Sequence, residues 1–283
     1  MGKKTYSFFP GCSLKASGHE NTQSLLKFCD MVDIELEELP DWNCCGSSSA
    51  HSVNHDVARD LPLRNISLVP KGQPLLIACP SCLIRLKQSF LGLKNDGNLQ
   101  KKYEQDWGRP FDPGLEIIHF FELFKRIQLK AYIKDPKTRL KGIKVAPYYG
   151  CMLSMPPDLR NEPSHYGLME EALSSLGADV ISYGYETQCC GTYLSVAKPK
   201  LSERVVTQII SRAMDAGAEC LVTACAMCHL NLEIRCALKN PIPAFHFSEL
   251  LSMALGAENQ KKWFPKHIVD PLPLLKQRGL LKS

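Results

Sequence analysis

The sequence predicts an α/β protein made of two similar halves, each built on a parallel sheet. Three observations carry this. Ten of the thirteen cysteines fall into two copies of one pattern. Short β-prone runs alternate with amphipathic helical stretches in both copies. Every cysteine group follows one of the β-prone runs.

In the first copy, Thr5–Phe9 reads as a strand and leads into Cys12. A helical pattern follows, with Leu25, Leu26, Cys29 and Val32 on one face. A strand around Glu35–Leu39 then approaches Cys44-Cys45-Gly46, and Leu75–Ala78 runs into Cys79-Pro80-Ser81-Cys82. The second copy repeats this order. Val145–Tyr149 precedes Cys151. Tyr166, Met169, Leu173 and Leu176 share a helix face that ends at Gly177, a C-cap residue. A strand around Val180–Tyr183 approaches Cys189-Cys190-Gly191. Leu201, Val205, Ile209 and Ala213 form a stripe before Gly217, and Leu221–Ala224 enters Cys225-Ala226-Met227-Cys228. Each copy closes on a related string, Ile118-His119-Phe120-Phe121-Glu122-Leu123 and Phe245-His246-Phe247-Ser248-Glu249-Leu250. The gaps between cysteine groups are 31 and 33 residues in copy one and 37 and 34 in copy two. Strands followed by helices at these lengths give doubly wound, Rossmann-like domains, with the cysteine motifs at the carboxyl ends of the strands. The domains are expected at residues 1–135 and 136–283, with the boundary inside the polar stretch Lys130–Lys144.

The halves differ in two places. Copy one carries 36 residues between Cys82 and His119, where copy two has 17 between Cys228 and His246. The extra piece, Gly92–Pro113, is polar and reads as a solvated loop or insertion, with partner docking as the alternative. After Ala257 comes a tail with Trp263, Phe264, Leu272, Leu274, Leu275, Leu280 and Leu281 among six Lys or Arg residues. Its three prolines (Pro265, Pro271, Pro273) argue for a strap packed on a domain rather than one long helix on a partner or membrane surface.

Composition bounds the function. At 283 residues and 45% hydrophobic content, the chain can bury two ordinary cores. No signal peptide opens it, and no apolar stretch approaches the roughly 18 residues of a membrane span. A cytoplasmic, reducing setting is expected, in which clustered thiols are metal ligands rather than disulfides. The net charge of +5 suits an anionic substrate or acidic partner and is too weak to argue for nucleic acid. Thiolates select iron–sulfur, zinc or copper. Five per copy is one more than a structural zinc or an ordinary 4Fe–4S cube takes. No strand is followed by G-x-G-x-x-G, so electrons would come from a partner.

Among single residues, Cys29, Cys220 and Cys236 lack counterparts in the other half and read as buried, inert thiols. His119 and His246 precede helix-like FxEL runs and read as structural hydrogen-bonding groups. His51, His55 and His229 lie just beyond motif cysteines and are candidates for proton donation or substrate contact. Lys15, Arg85 and Lys87 also follow motif cysteines. They are ordinary solvated cations by default, and otherwise would offset site charge or bind an anion.

The strings FFPGCSLKASG, LPDWNCCG and ACPSCLIRLKQ, with the second CCG and CAMC, resemble the cysteine-rich CCG domain family. The layout, with the tail HIVDPLPLL, is similar to the B subunits of heterodisulfide reductases across essentially the whole chain. The resemblance implies two noncubane 4Fe–4S clusters, one of them open to loss or replacement by zinc on isolation. Copy one would use Cys12, Cys44, Cys45, Cys79 and Cys82; copy two would use Cys151, Cys189, Cys190, Cys225 and Cys228. It further implies oxidoreductase chemistry on a disulfide, either a heterodisulfide or lipoyl or sulfane sulfur as in relatives from sulfur oxidisers. The implied partners are a ferredoxin-like subunit of the C type and a flavoprotein. The wider family also implies an alternative, a non-catalytic electron-transfer subunit of a glycolate, lactate or succinate dehydrogenase complex. A structural zinc protein is a third reading, which five thiols per copy overfill.

Overall fold

In a computed structural model, the described residues are 3–133, 140, 142–154, 159, 164–258 and 263–281. The expected domain boundary at 135/136 lies outside them. Two four-stranded, all-parallel sheets form the frame. In the first half, β1 (Lys4–Phe9) leads to α1 (Gly11–Lys15) and α2 (His19–Met31). Next come β2 (Ile34–Glu38), α3 (Ala50–Val53), α4 (His55–Ser67) and β3 (Leu75–Ile77). The half closes with α5 (Pro80–Lys94), α6 (Gly97–Trp107) and β4 (Ile117–His119), which runs into a 3-10 helix, Phe120–Lys125. The second half repeats the plan with β5 (Lys144–Tyr148), α7 (Gly150–Leu153), α8 (Leu168–Ser175), β6 (Asp179–Val180), α9 (Pro199–Asp215), β7 (Cys220–Thr223), α10 (Ala226–Ile234), β8 (Ala244–His246) and α11 (Phe247–Ala254). Strand orders are β2-β1-β3-β4 and β6-β5-β7-β8, so the sheets match position for position. In each, the order reverses between the first strand and the third, which is where a doubly wound sheet opens a crevice at its carboxyl edge.

Three expectations are corrected. The strand around Val180–Tyr183 stops at Val180, because Ser182 Oγ and the Tyr183 and Gly184 N–H groups turn onto Glu186 Oε1 at 2.8, 2.8 and 3.2 Å. The piece Gly92–Pro113 is helical over Gly97–Trp107. Asp96 caps α6 by accepting from the Asn98 and Leu99 N–H groups, Gly108 ends it in the left-handed region, and Tyr103 donates to Asp60 of α4. Finally, α9 turns Ser202, Val206, Ile209, Ile210 and Ala213 inward, which leaves Leu201 and Val205 half-buried at the edge of that face. Leu26 and Tyr166 likewise face solvent, at 43% and 54% exposure.

The halves meet along a shared apolar core. Phe121 and Phe247, from the repeated FxEL strings, stack edge to face with centroids 4.3 Å apart. Phe120 and Phe124 lie 5.0 and 5.5 Å from Phe247. Each such pair adds about 0.5–1.5 kcal/mol beyond its burial. Small residues let α2 and α11 approach closely: Ser24 and Ser248 share a hydroxyl hydrogen bond of 2.6 Å, and Ser252 donates to the Ser24 carbonyl. The two FxEL segments are reciprocal, since the 3-10 helix packs on α8 while α11 packs on α2.

The tail is a strap, as expected. Trp263, Phe264, Leu275 and Leu280 are buried; a 3-10 turn, Phe264–Lys266, precedes α12 (Leu272–Gln277), the tail's one α-helix among the described residues. His267 is clamped, with Nδ1 at 3.1 Å from Glu233 and Nε2 at 3.1 Å from Glu249. Burial would lower its pKa, but the two carboxylates hold it up at about 10.

Candidate metal centre

Each half delivers its three cysteine groups from the carboxyl ends of three adjacent strands. Cys12 opens α1 just past β1, and Cys44-Cys45 lies in the loop after β2. Cys79 and Cys82 bracket the first turn of α5, with Pro80 at the first helical position, where a missing N–H costs nothing. Cys151, Cys189-Cys190, Cys225 and Cys228 sit equivalently around β5, β6 and β7.

The sulfurs converge. Cys44 Sγ lies 3.9 Å from Cys12 Sγ, and Cys45 Sγ lies 3.1 Å from Cys82 Sγ, so the adjacent cysteines serve different neighbours. In the second half, Cys190 Sγ is 3.4 Å from Cys228 Sγ, and Cys151 and Cys189 lie close enough to shift each other's acidity. The two sets come together across the seam: Ser17, beyond Cys12, reaches Met227 Sδ inside the second CxxC at 3.8 Å, and the thiols of Cys79 and Cys225 shift each other's acidity, Cys79 down and Cys225 up. Their pseudo-equivalent positions on β3–α5 and β7–α10 place them across the seam. All thirteen cysteines are free thiols. Cys12, Cys44, Cys151 and Cys189 are exposed, whereas Cys45, Cys79, Cys82, Cys190 and Cys225 are buried. An outer, solvent-facing pair in each half thus fronts a buried inner group.

Close-packed thiols share protons unequally. Hydrogen bonds from Cys44 and then Cys82 pull Cys45 down to about 4. The Cys151 thiol draws Cys189 to about 6, and the Cys228 thiol draws Cys190 to about 6. The donors, Cys44, Cys82, Cys151 and Cys228, are pushed up in turn. Thiolate is the form that binds soft metals.

Residues around the sulfurs were only partly legible in sequence. Gly11 and Gly150 each precede the first cysteine of their copy. Both have positive φ (+70° and +66°), and a Cβ there would lie 3.0 Å from Cys82 Sγ or 3.4 Å from Cys228 Sγ. The repeated Gly-Cys pair was the available signal. Gly46 and Gly191 also turn with positive φ after each Cys-Cys pair. Thr192 Oγ1 meets Cys190 Sγ at 3.0 Å, and Asn231 holds the Cys190 carbonyl at 2.8 Å. Nothing in residue type or spacing marked these two. A donor set of five sulfurs per half, with glycines cleared for their bulk, suits a sulfur-ligated cluster.

The other candidates fall elsewhere. His119 accepts from the Phe121 N–H and its Nε2 donates to the Ala78 carbonyl, while His246 Nδ1 meets the Ser248 hydroxyl; both are structural, as expected. His229 is buried and committed at both nitrogens, to Asn21 at 3.2 Å and to the Ala244 carbonyl at 2.9 Å, so it does not face the exposed thiols as a proton donor. His55 is exposed and His51 is half-buried. Lys15 pairs with Glu38 at 2.7 Å, Arg85 reaches Gln88, and Lys87 is buried 3.9 Å from Glu122. Cys29 and Cys220 are buried, with thiol pKa values pushed up by burial; Cys236 is half-buried rather than buried.

A profile of the cysteine-rich domain family, CCG, matches residues 6–87 and 145–233, one match per half. The chain belongs to this family. Family membership supports an iron–sulfur, electron-transfer role. The chain is 27% identical to the 8-methylmenaquinol:fumarate reductase membrane anchor subunit of Wolinella succinogenes, over 96% of this chain and 99% of that protein. It is 28% identical to heterodisulfide reductase B subunits of Methanosarcina acetivorans (88% of this chain, 89% of that one) and Methanosarcina mazei (95% of each). The fold matches a hypothetical protein from Helicobacter pylori with a TM-score of 0.73 at 12% identity, covering 94% of this chain and 52% of that one. No described helix is long and apolar enough to cross a membrane.

Proposed function

We propose that this chain is the iron–sulfur subunit of a heterodisulfide reductase-type complex, which reduces or forms a disulfide between two noncubane 4Fe–4S clusters. The observation that carries the proposal is that both five-cysteine sets are complete and lie next to each other across the seam, where Ser17 beyond Cys12 reaches Met227 between Cys225 and Cys228. Cys12, Cys44, Cys45, Cys79 and Cys82 would hold one cluster; Cys151, Cys189, Cys190, Cys225 and Cys228 would hold the other. When bound, such clusters supply single electrons and a thiophilic iron for each sulfur of the disulfide. The reaction is RSSR + 2 e⁻ + 2 H⁺ → 2 RSH, so two adjacent one-electron sites match its demand. The chain's own contribution is placement. The seam brings the sets together, the buried inner thiols exclude water, and the exposed outer thiols leave each set open on one side. Electrons would arrive from a ferredoxin-like C-type subunit and a flavoprotein beyond it, and the assembly would work in or on the cytoplasmic side.

The Wolinella relative supports a second reading, because it matches nearly end to end and is named as part of a fumarate reductase. On that reading the chain relays electrons and has no substrate of its own.

Anaerobically purified protein should hold about eight irons and eight sulfides. Stoichiometric zinc with negligible iron sinks both readings. Reduced protein mixed with lipoamide or coenzyme M–coenzyme B heterodisulfide should then release two thiols per two electrons consumed. A protein that re-reduces an electron-accepting dye yet leaves every disulfide intact is a relay.

A further inference from the structure

The strap brings together a group of ionisable side chains that the thiol sets do not explain. His229 and Glu233 lie one turn apart on α10, so both face the same side. Glu233 Oε1 is 3.1 Å from His267 Nδ1 and 3.7 Å from His229 Nε2. The three ligand atoms lie within 4.8 Å of one another. Behind them, His267 Nε2 meets Glu249 Oε1 at 3.1 Å, and His229 Nδ1 meets the Asn21 amide at 3.2 Å. These side chains are almost wholly covered, with at most 5% exposure for His229, Glu233, His267 and Glu249.

The equivalent place in the first half shows what is unbalanced. Aligning CPSCLIRLK with CAMCHLNLE sets Leu83 against His229 and Lys87 against Glu233, while the repeated FxEL strings set Glu122 against Glu249. There the Lys87 ammonium, 3.9 Å from Glu122, and the His165 ring, 3.0 Å from it, stand beside a half-buried carboxylate. In the second half a second carboxylate stands where that ammonium would be. Two carboxylates packed around one imidazole in a buried place call for cationic partners, and burying them without such partners is costly. A divalent cation with neutral imidazoles brings the sum to zero.

We propose that His229, Glu233 and His267 form a mononuclear site for a zinc-like divalent cation that fastens the C-terminal strap to α10. Two imidazoles and a carboxylate suit such an ion, and three protein ligands leave a fourth position for water. The outer partners are of the usual kind: a carboxylate, Glu249, takes the far N–H of His267, and an amide, Asn21, meets the far nitrogen of His229. Binding changes two protons. His267 gives up its Nδ1 proton to solvent. The His229 proton moves from Nε2, where it faces the Ala244 carbonyl, to Nδ1. Asn21 Oδ1, buried and without a partner as the amide now stands, accepts that proton when the amide turns over. One metal therefore enters for about one proton released.

The test uses the full chain with its iron–sulfur content reconstituted anaerobically, so that the cysteines are occupied. After removal of loosely held metal, cobalt(II) is titrated alone. One equivalent should bind, giving a visible d–d spectrum without the intense near-ultraviolet band of cobalt–thiolate ligation and releasing about one proton. Binding should weaken at least tenfold in Glu233→Gln and His267→Gln, and about 10–100-fold in Glu249→Gln. If the variants fold poorly, histidine ¹⁵N spectra of the wild type with zinc decide instead, because the His267 Nδ1 signal must move to the metal-bound position. The proposal is overturned by a thiolate-dominated cobalt spectrum, by one-equivalent binding unchanged in the variants, or by a His267 that keeps protons on both nitrogens in excess zinc.

Discussion

Gly11→Ala and Gly150→Ala should separate backbone strain from sulfur crowding, because the structure makes the two positions alike in one respect and different in the other. Both glycines have positive φ, +70° and +66°, so an L-residue costs about 1–2 kcal/mol at either. That should lower the thermal midpoint by about 2–8 °C in both variants. The new Cβ, however, lies 3.0 Å from Cys82 Sγ at Gly11 but 3.4 Å from Cys228 Sγ at Gly150. The first is a clash that must move a sulfur by several tenths of an ångström; the second approaches ordinary contact. A cluster tolerates little displacement of its ligands, so Gly11→Ala should lose about half of the iron and acid-labile sulfide, whereas Gly150→Ala should keep most of it. Iron and sulfide quantification on anaerobic protein, beside thermal unfolding, reads both quantities. Equal iron loss in the two variants, or loss confined to Gly150→Ala, would refute the argument that Gly11 is there to clear Cys82.

Cys45→Ser and Cys190→Ser should each remove one set's iron, since a hydroxyl is a harder and poorer ligand, and disulfide turnover with the cognate donor should fall in both; wild-type turnover in either would make that half structural. Phe247→Ala, at the centre of the seam, should cost about 3–5 kcal/mol in chemical denaturation, and a cost under 1 kcal/mol would mean that the halves do not depend on this packing. Glu122 titrates near 2 in the fold: burial would raise it, but the His165 ring, the His119 N–H and Lys87 hold it down from 4.5. Its folded value is depressed, so its contribution is complete above about pH 4.5 and lost as pH falls toward 2. Glu122→Gln should accordingly flatten the wild-type stability loss across that window, as read by urea unfolding at several pH values.

Much of the frame was legible because the repeat was spelled twice. A β-prone run before every cysteine group is a statement about sheet edges, and both sheets have the order that follows from it. Periodicity was less reliable for which residues face inward. On α9 the stripe holds at Ile209 and Ala213 but is one residue off in its first half, where Leu201 and Val205 flank the face that Ser202 and Val206 occupy. Polarity misled at Gly92–Pro113, where Asp96 and Gly108 are the caps of a helix rather than marks of a loop. The convergence of each thiol set followed from topology. The approach of the two halves that sets them side by side did not, because α2 and α11 pack through Ser24, Ser248 and Ser252, three small polar residues that carry no pattern of their own.

The two halves hold to one plan where sulfur is concerned and diverge just behind it. Both keep the glycine before the first cysteine, the glycine after the cysteine pair, and the CxxC turn at a helix start. Five residues past the last cysteine, however, Lys87 in one half answers to Glu233 in the other. Lys87 and His165 meet Glu122 at the seam, whereas Glu233 and Glu249 hold His267 of the strap. The buried charge of the first half is therefore settled between the halves. That of the second is settled by the C-terminal tail, which ties the strap to the helix that carries Cys228. Loss of the strap should then disturb the second thiol set before the first, an asymmetry that the cysteine repeat alone does not contain.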